Sequence, residues 1–110
     1  MKIQNVPFTV TNWDKVDTVE HKGESGTSLW RIVESGNIRV RIVEYSASFI
    51  ADHYCKRGHA LFVLDGDLQI KLKDGQTFLL NRGMGFQVGD DDRNPHTVSS
   101  ETGAKVFIVD

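Results

Sequence analysis

Apolar and polar residues alternate with a period of two through most of this 110-residue chain, and helical periodicity is scarce. In the stretch 37–45, Ile38, Val40 and Ile42 alternate with Arg39 and Arg41. In 67–73, Leu68, Ile70 and Leu72 alternate with Asp67, Gln69, Lys71 and Lys73. Successive side chains of a strand point to opposite faces, so this pattern predicts strands with one apolar face and one wet face. Arg39 and Arg41, with Arg31, could bind an anionic substrate, but period-two arginines more simply form a wet face, and they are assigned to it. Asp74-Gly75 between two such runs predicts a type I′ hairpin, and Asp65-Gly66 marks another turn. Strands are expected near 7–11, 27–34, 37–45, 59–64, 67–73, 76–81, 84–88, 95–100 and 104–109. One short helical turn is expected around 13–19. Many short strands with frequent turn signals predict an all-β sandwich or barrel.

The length suits a single domain, residues 1–110, able to bury about two-thirds of its unfolded surface without disulfides. Thirteen basic and fifteen acidic side chains give a net charge of −2, which argues against a nucleic-acid binder that works by neutralising phosphates. No apolar run approaches the roughly 20 residues that span a bilayer, so no membrane partner is expected. The first residues lack the apolar segment of a secretion signal, and one cysteine cannot form an intrachain disulfide; together these predict a cytoplasmic protein.

The chemistry concentrates in four histidines, His21, His53, His59 and His96, and the lone Cys55. Three of these five fall within residues 51–59. On a strand, His53 and Cys55 would share a face, and His59 follows at another even offset. His96, behind Pro95 at a strand start, is the natural fourth partner. A thiolate with imidazoles is a borderline-soft donor set, suited to zinc, iron, nickel or copper and unsuited to calcium or magnesium. His53, Cys55, His59 and His96 are therefore predicted to bind one divalent transition metal. Asp52 either orients the His53 imidazole or is solvated. His21 could line the pocket or act as an acid–base group but reads more simply as structural or solvent-facing. Trp30 reads as sheet packing, and Tyr45 and Tyr54 could wall a pocket but read more simply as core or rim aromatics. Asp90-Asp91-Asp92 lacks the spaced ligands of a calcium loop and reads as a polar loop. No helix follows Cys55 to activate it as a hydrolase nucleophile, and no phosphate-binding glycine loop is present.

On these residues the chain resembles the cupins, whose first motif is G-x5-H-x-H-x3/4-E-x6-G. His53 and Cys55 stand at the two histidines, His59 at the glutamate, Gly66 at the closing glycine and Ala47 at the opening one. Of the second motif, G-x5-P-x-G-x2-H-x3-N, Gly83 and His96 match. Gly89 replaces the proline, Asp91 falls at the second glycine, Ser100 replaces the asparagine, and the segment is two residues longer. Asp52-His53-Tyr54-Cys55, Gly58-His59 and the ending ETGAKVFIVD look like the small bacterial DHCW-motif cupins, with Tyr54 where tryptophan is usual. The resemblance implies a jelly roll, or double-stranded β-helix, holding a metal. Two functions stay open: a metal-dependent oxygenase, isomerase or lyase acting on a small molecule, or a non-enzymatic binding or sensor module with a structural metal. A homodimer is also expected, with the apolar segment 6–10 covering a neighbour's sheet edge.

Overall fold

The computed structural model describes residues 2–90 and 93–110. Asp91 and Asp92 lie outside the described residues, and with them the motif position of Asp91 and the polar-loop reading of 90–92. The strands are β1 Val19–Lys22, β2 Thr27–Ser35, β3 Ile38–Tyr45, β4 Phe49–Ile50, β5 His59–Leu72, β6 Thr77–Asn81, β7 Gly85–Val88, β8 His96–Ser100 and β9 Ala104–Val109. There is no α-helix among the described residues. The expected helical turn is confined to a 3₁₀ turn at Trp13–Lys15, where the Asn12 side chain accepts from the Asp14 N–H. Residues 7–11 form no strand, while β1 and β4 occupy positions where none was expected.

The longest strand turns the corner of the fold. The first half of β5 pairs with β7 and β9, and its second half pairs with β6 and β8, all antiparallel. The result is two layers, β1-β2-β3-β9-β5-β7 and β4-β8-β5-β6, curled on one another as a jelly roll. Two strands separated by a turn at Asp65-Gly66 were expected; the structure has one bent strand. Its register against β9 slips between Val63 and Asp65, and Gly66 adopts φ +78°. A side chain at Gly66 would collide with the Gly103 carbonyl, so the bend needs glycine.

The Asp74-Gly75 hairpin joins β5 to β6 as expected, with a different turn. Leu72 N–H donates to the Gln76 carbonyl at 2.8 Å, which leaves three loop residues, and only Gly75 has positive φ, at +98°. That is the three-residue loop with a left-handed glycine rather than the two-residue type I′ turn. The core between the layers is Val43, Leu61, Val63, Leu68, Ile70, Leu80, Val106 and Ile108.

The phase of β3 is opposite to the expected one. Register sets Val43 against Val106 and Arg41 against Ile108, so Arg41 faces the interior with the core residues. Arg41 is only 6% exposed, whereas Ile38, Val40 and Ile42 are half-buried on the other face. The wet-face assignment of Arg39 and Arg41 is thus overturned. A buried carboxylate on the neighbouring strand accounts for it.

Candidate metal centre

Strand pairing sets the positions of three of the four predicted ligands. Cys55 and His96 form an isolated antiparallel bridge, with Cys55 N–H donating to the His96 carbonyl at 2.7 Å and His96 N–H returning a bond of 3.0 Å. His59 opens β5 and His96 opens β8, which puts both rings at one mouth of the barrel. Their Nε2 atoms face each other at 3.0 Å, with the rings nearly perpendicular. Phe86 packs edge-on against both rings, at centroid distances of 5.5 and 5.6 Å, and restrains their tilt. The ligand atoms of Cys55, His59 and His96 all lie within 4.8 Å of one another.

Proton placement decides what such a cluster does. Nδ1 of His96 lies 3.2 Å from the Asn94 carbonyl, an acceptor, so that nitrogen carries the proton and Nε2 presents its lone pair. Nδ1 of His59 is buried without a hydrogen-bond partner, and Asp110 Oδ2 stands 3.7 Å away. Burial first, and the facing His96 second, push the His59 pKa down to about 4, so His59 is neutral at ordinary pH. Two imidazole nitrogens that each bind one ion at about 2.0–2.1 Å stand about 2.9–3.4 Å apart. The observed separation, the neutral His59 ring and the adjacent thiol fit a transition-metal ion.

His53 lies apart from these three atoms. Strand parity was expected to align it with Cys55, but residues 52–53 form a bend. The His53 side chain is 73% exposed, and its Nδ1 lies 2.7 Å from Asp52 Oδ1. Asp52 therefore does orient this imidazole, and is itself largely solvated. His53 still lines the same cavity as the cluster, a space of about 450 Å³. His21, which also lines the cavity, is exposed and packs tilted against Trp30 with ring centroids 4.3 Å apart.

Behind the cavity-lining Arg39 and Arg41 stands a carboxylate that the sequence reading missed. The Asp110 carboxylate, 1% exposed, takes a two-pronged contact from Arg39, Nε to Oδ1 at 2.9 Å and Nη2 to Oδ2 at 3.0 Å. Arg41 Nη2 also donates to Oδ2 at 3.0 Å, and Arg57 Nε lies 3.6 Å from Oδ1. Burial raises the Asp110 pKa, but the Arg39 hydrogen bond and the charges of Arg41, Arg39 and Arg57 outweigh it and hold the carboxyl below its usual range. Arg41 lies over the Trp30 ring, 4.5 Å from its centroid. Burial pushes the Tyr45 phenol up to about 12, so its hydroxyl stays protonated. One signal was available in the sequence. Val43 and Tyr45 continue the parity of Arg39 and Arg41, so both faces of β3 carry apolar residues and the arginines need not be the wet side.

No protein-family model and no curated protein matches the sequence. Solved structures do match the fold. Ectoine synthase from P. lautus aligns with a TM-score of 0.73 at 14% identity, over 93% of this chain and 76% of that one. An RmlC-like cupin from Shewanella frigidimarina aligns at 0.72 and 12% identity, over 96% and 92%. Fe(II)-HppE with an alternative substrate aligns at 0.73 and 15% identity, over 94% of this chain and 60% of that protein. The chain has the cupin fold.

Proposed function

We propose that this chain is a single-domain, metal-dependent cupin that acts on a small molecule, with Cys55, His59 and His96 as ligands of one divalent transition metal. The observation that carries the reading is the pair of Nε2 atoms facing each other at 3.0 Å beside the Cys55 thiol, on the wall of a cavity of about 450 Å³. His53, whose Nδ1 is held by Asp52, lines the same cavity and serves the site as a weaker outer contact rather than as a fixed fourth ligand. The bound metal would supply a Lewis acid or a site for O₂. The Fe(II) named for HppE supports iron among the candidates, beside zinc, nickel and copper.

The chain's own residues prepare that site. The Asn94 carbonyl fixes the His96 tautomer, Phe86 restrains both rings, and the arginine pair with Asp110 forms an electropositive wall beside them. Three clustered ligands opening onto a cavity favour an enzyme over a closed structural site, in which four ligands would surround the ion. The non-enzymatic binding module is the second reading, and an exposed fourth ligand is the feature that weakens it.

A homodimer and a cytoplasmic setting belong to the same proposal. Phe8 and Val10 are 96% and 81% exposed on a segment outside any strand, which suits an arm laid against a second copy. Cys55 as a free thiol and ligand suits a reducing compartment. The test is elemental analysis of protein purified without added metal, beside Cys55→Ser and His96→Ala. About one ion per chain in the wild type and little in either variant supports the site. Equal metal in all three refutes it.

A further inference from the structure

Three guanidinium groups, the buried Arg41, the half-buried Arg39 and the more exposed Arg57, gather round the one side-chain carboxylate of Asp110 beside this cavity. Asp110 is matched in both prongs by Arg39, and Arg41 gives it one N–H from Nη2. The Arg41 side chain is 93% buried and its Nε is buried with no hydrogen-bond partner. A guanidinium has five N–H donors in a fixed fork, and leaving one buried and unmade is costly. Arg41 nonetheless lines the cavity, over the apolar face of Trp30 and on the same side as the metal cluster. Asp110 Oδ2 links the two regions, 3.0 Å from Arg41 Nη2 and 3.7 Å from His59 Nδ1.

From this we infer that Arg41 is the anchor for a small organic carboxylate, and that carboxylic acids are the ligand class of the cavity. A planar carboxylate carries the charge that complements a guanidinium cluster exceeding its one side-chain carboxylate, and pairs with the Arg41 N–H groups that Asp110 does not take. Trp30 and Leu61 offer apolar wall for the carbon skeleton, while the far end of the molecule lies toward Cys55, His59 and His96. Asp110 sets the direction of the open edge by holding the other side of Arg41, and so acts as a positioning residue. The inference rests on the proposal that this cavity is the substrate pocket, but not on which metal fills the cluster.

The test compares acids with their neutral isosteres. Butyrate and benzoate are titrated against butyramide and benzamide, with inorganic phosphate as a further probe, on protein as purified and after chelation. The readout is the NMR signal of the Trp30 indole N–H, which donates to Ser28 Oγ at 2.9 Å beside Arg41. Saturable shifts with the acids and none with the amides are expected. Arg41→Lys should weaken the acids about tenfold, since an ammonium cannot replace the fork, and Arg41→Gln should abolish saturation. Metal content is measured on the same samples. Its absence would refute the metal reading and leave the Arg41 titration standing. If either variant fails to give a folded spectrum, the acid–amide contrast in the wild type decides alone. Equal binding of acids and amides, tighter binding of phosphate than of the acids, no saturable shift, or full affinity in a folded Arg41→Gln would each overturn the inference.

Discussion

Arg41 and Asp110 meet across neighbouring strands, Nη2 to Oδ2 at 3.0 Å, with both side chains withdrawn from water. Register makes this possible. β3 and β9 pair Val40 with Val109, and Arg39 exchanges backbone hydrogen bonds with Asp110 one position on. Removing one partner of a buried ion pair leaves an uncompensated charge, which usually costs about 3–5 kcal/mol. Asp110→Asn should therefore destabilise the fold by about 3 kcal/mol in urea unfolding at neutral pH. A loss below about 1 kcal/mol would show that the arginines find other partners.

Acid should weaken the metal-free protein before its carboxylates titrate. His59 is held at about 4, against an unfolded value near 6.5, chiefly by burial. Between those values the unfolded chain binds a proton that the folded chain refuses, so stability rises with pH across this window. It is fully present above about pH 6.5 and lost as pH falls toward 4. The upper bound on the loss is about 3 kcal/mol. In His59→Gln that part of the pH dependence should disappear, as read by urea unfolding of chelated protein at pH 7 and pH 4.5. An unchanged slope would contradict the buried, neutral imidazole.

The corner of β5 offers a purely structural check. Gly66 has φ +78° and no room for a side chain next to Gly103. Gly66→Ala should cost about 2 kcal/mol or more, from strain and backbone displacement together. Gly75→Ala also carries positive φ but meets nothing within 4 Å, and should cost less. Equal costs in thermal or urea unfolding would mean that the corner does not depend on the close approach.

The ligands should differ in weight. His59 and His96 are buried and held by Phe86, whereas His53 is exposed on a bend. His96→Ala should remove metal binding, and His53→Ala should weaken it by roughly 10–100-fold, the scale of a supporting contact. Competition with a chelator of known affinity separates the two. Equal losses would mean that the bend closes and His53 is a full ligand.

The alternation in 67–73 was enough to find the second half of β5, because there the polar residues do face water. It misled in β3, where the pattern was equally regular but its phase depended on a partner 69 residues away. Charge is assigned to the wet face unless a compensating charge is in view, and Asp110 comes into view only through the β3–β9 register. Cys55, His59 and His96 were legible as candidates because His and Cys are few. Their geometry was only partly legible: Cys55 and His96 meet by a backbone bridge, and strand parity does not extend through the bend that carries His53.

One chain is proposed to bind one metal ion through Cys55, His59 and His96. Cobalt(II) substitution tests it most directly, because a bound thiolate gives cobalt a sulfur-to-metal charge-transfer band that nitrogen and oxygen ligands do not. The band should saturate at one cobalt per chain, be lost in Cys55→Ser, and fail to form in His96→Ala. A spectrum without that band, or one that survives in Cys55→Ser, would contradict it.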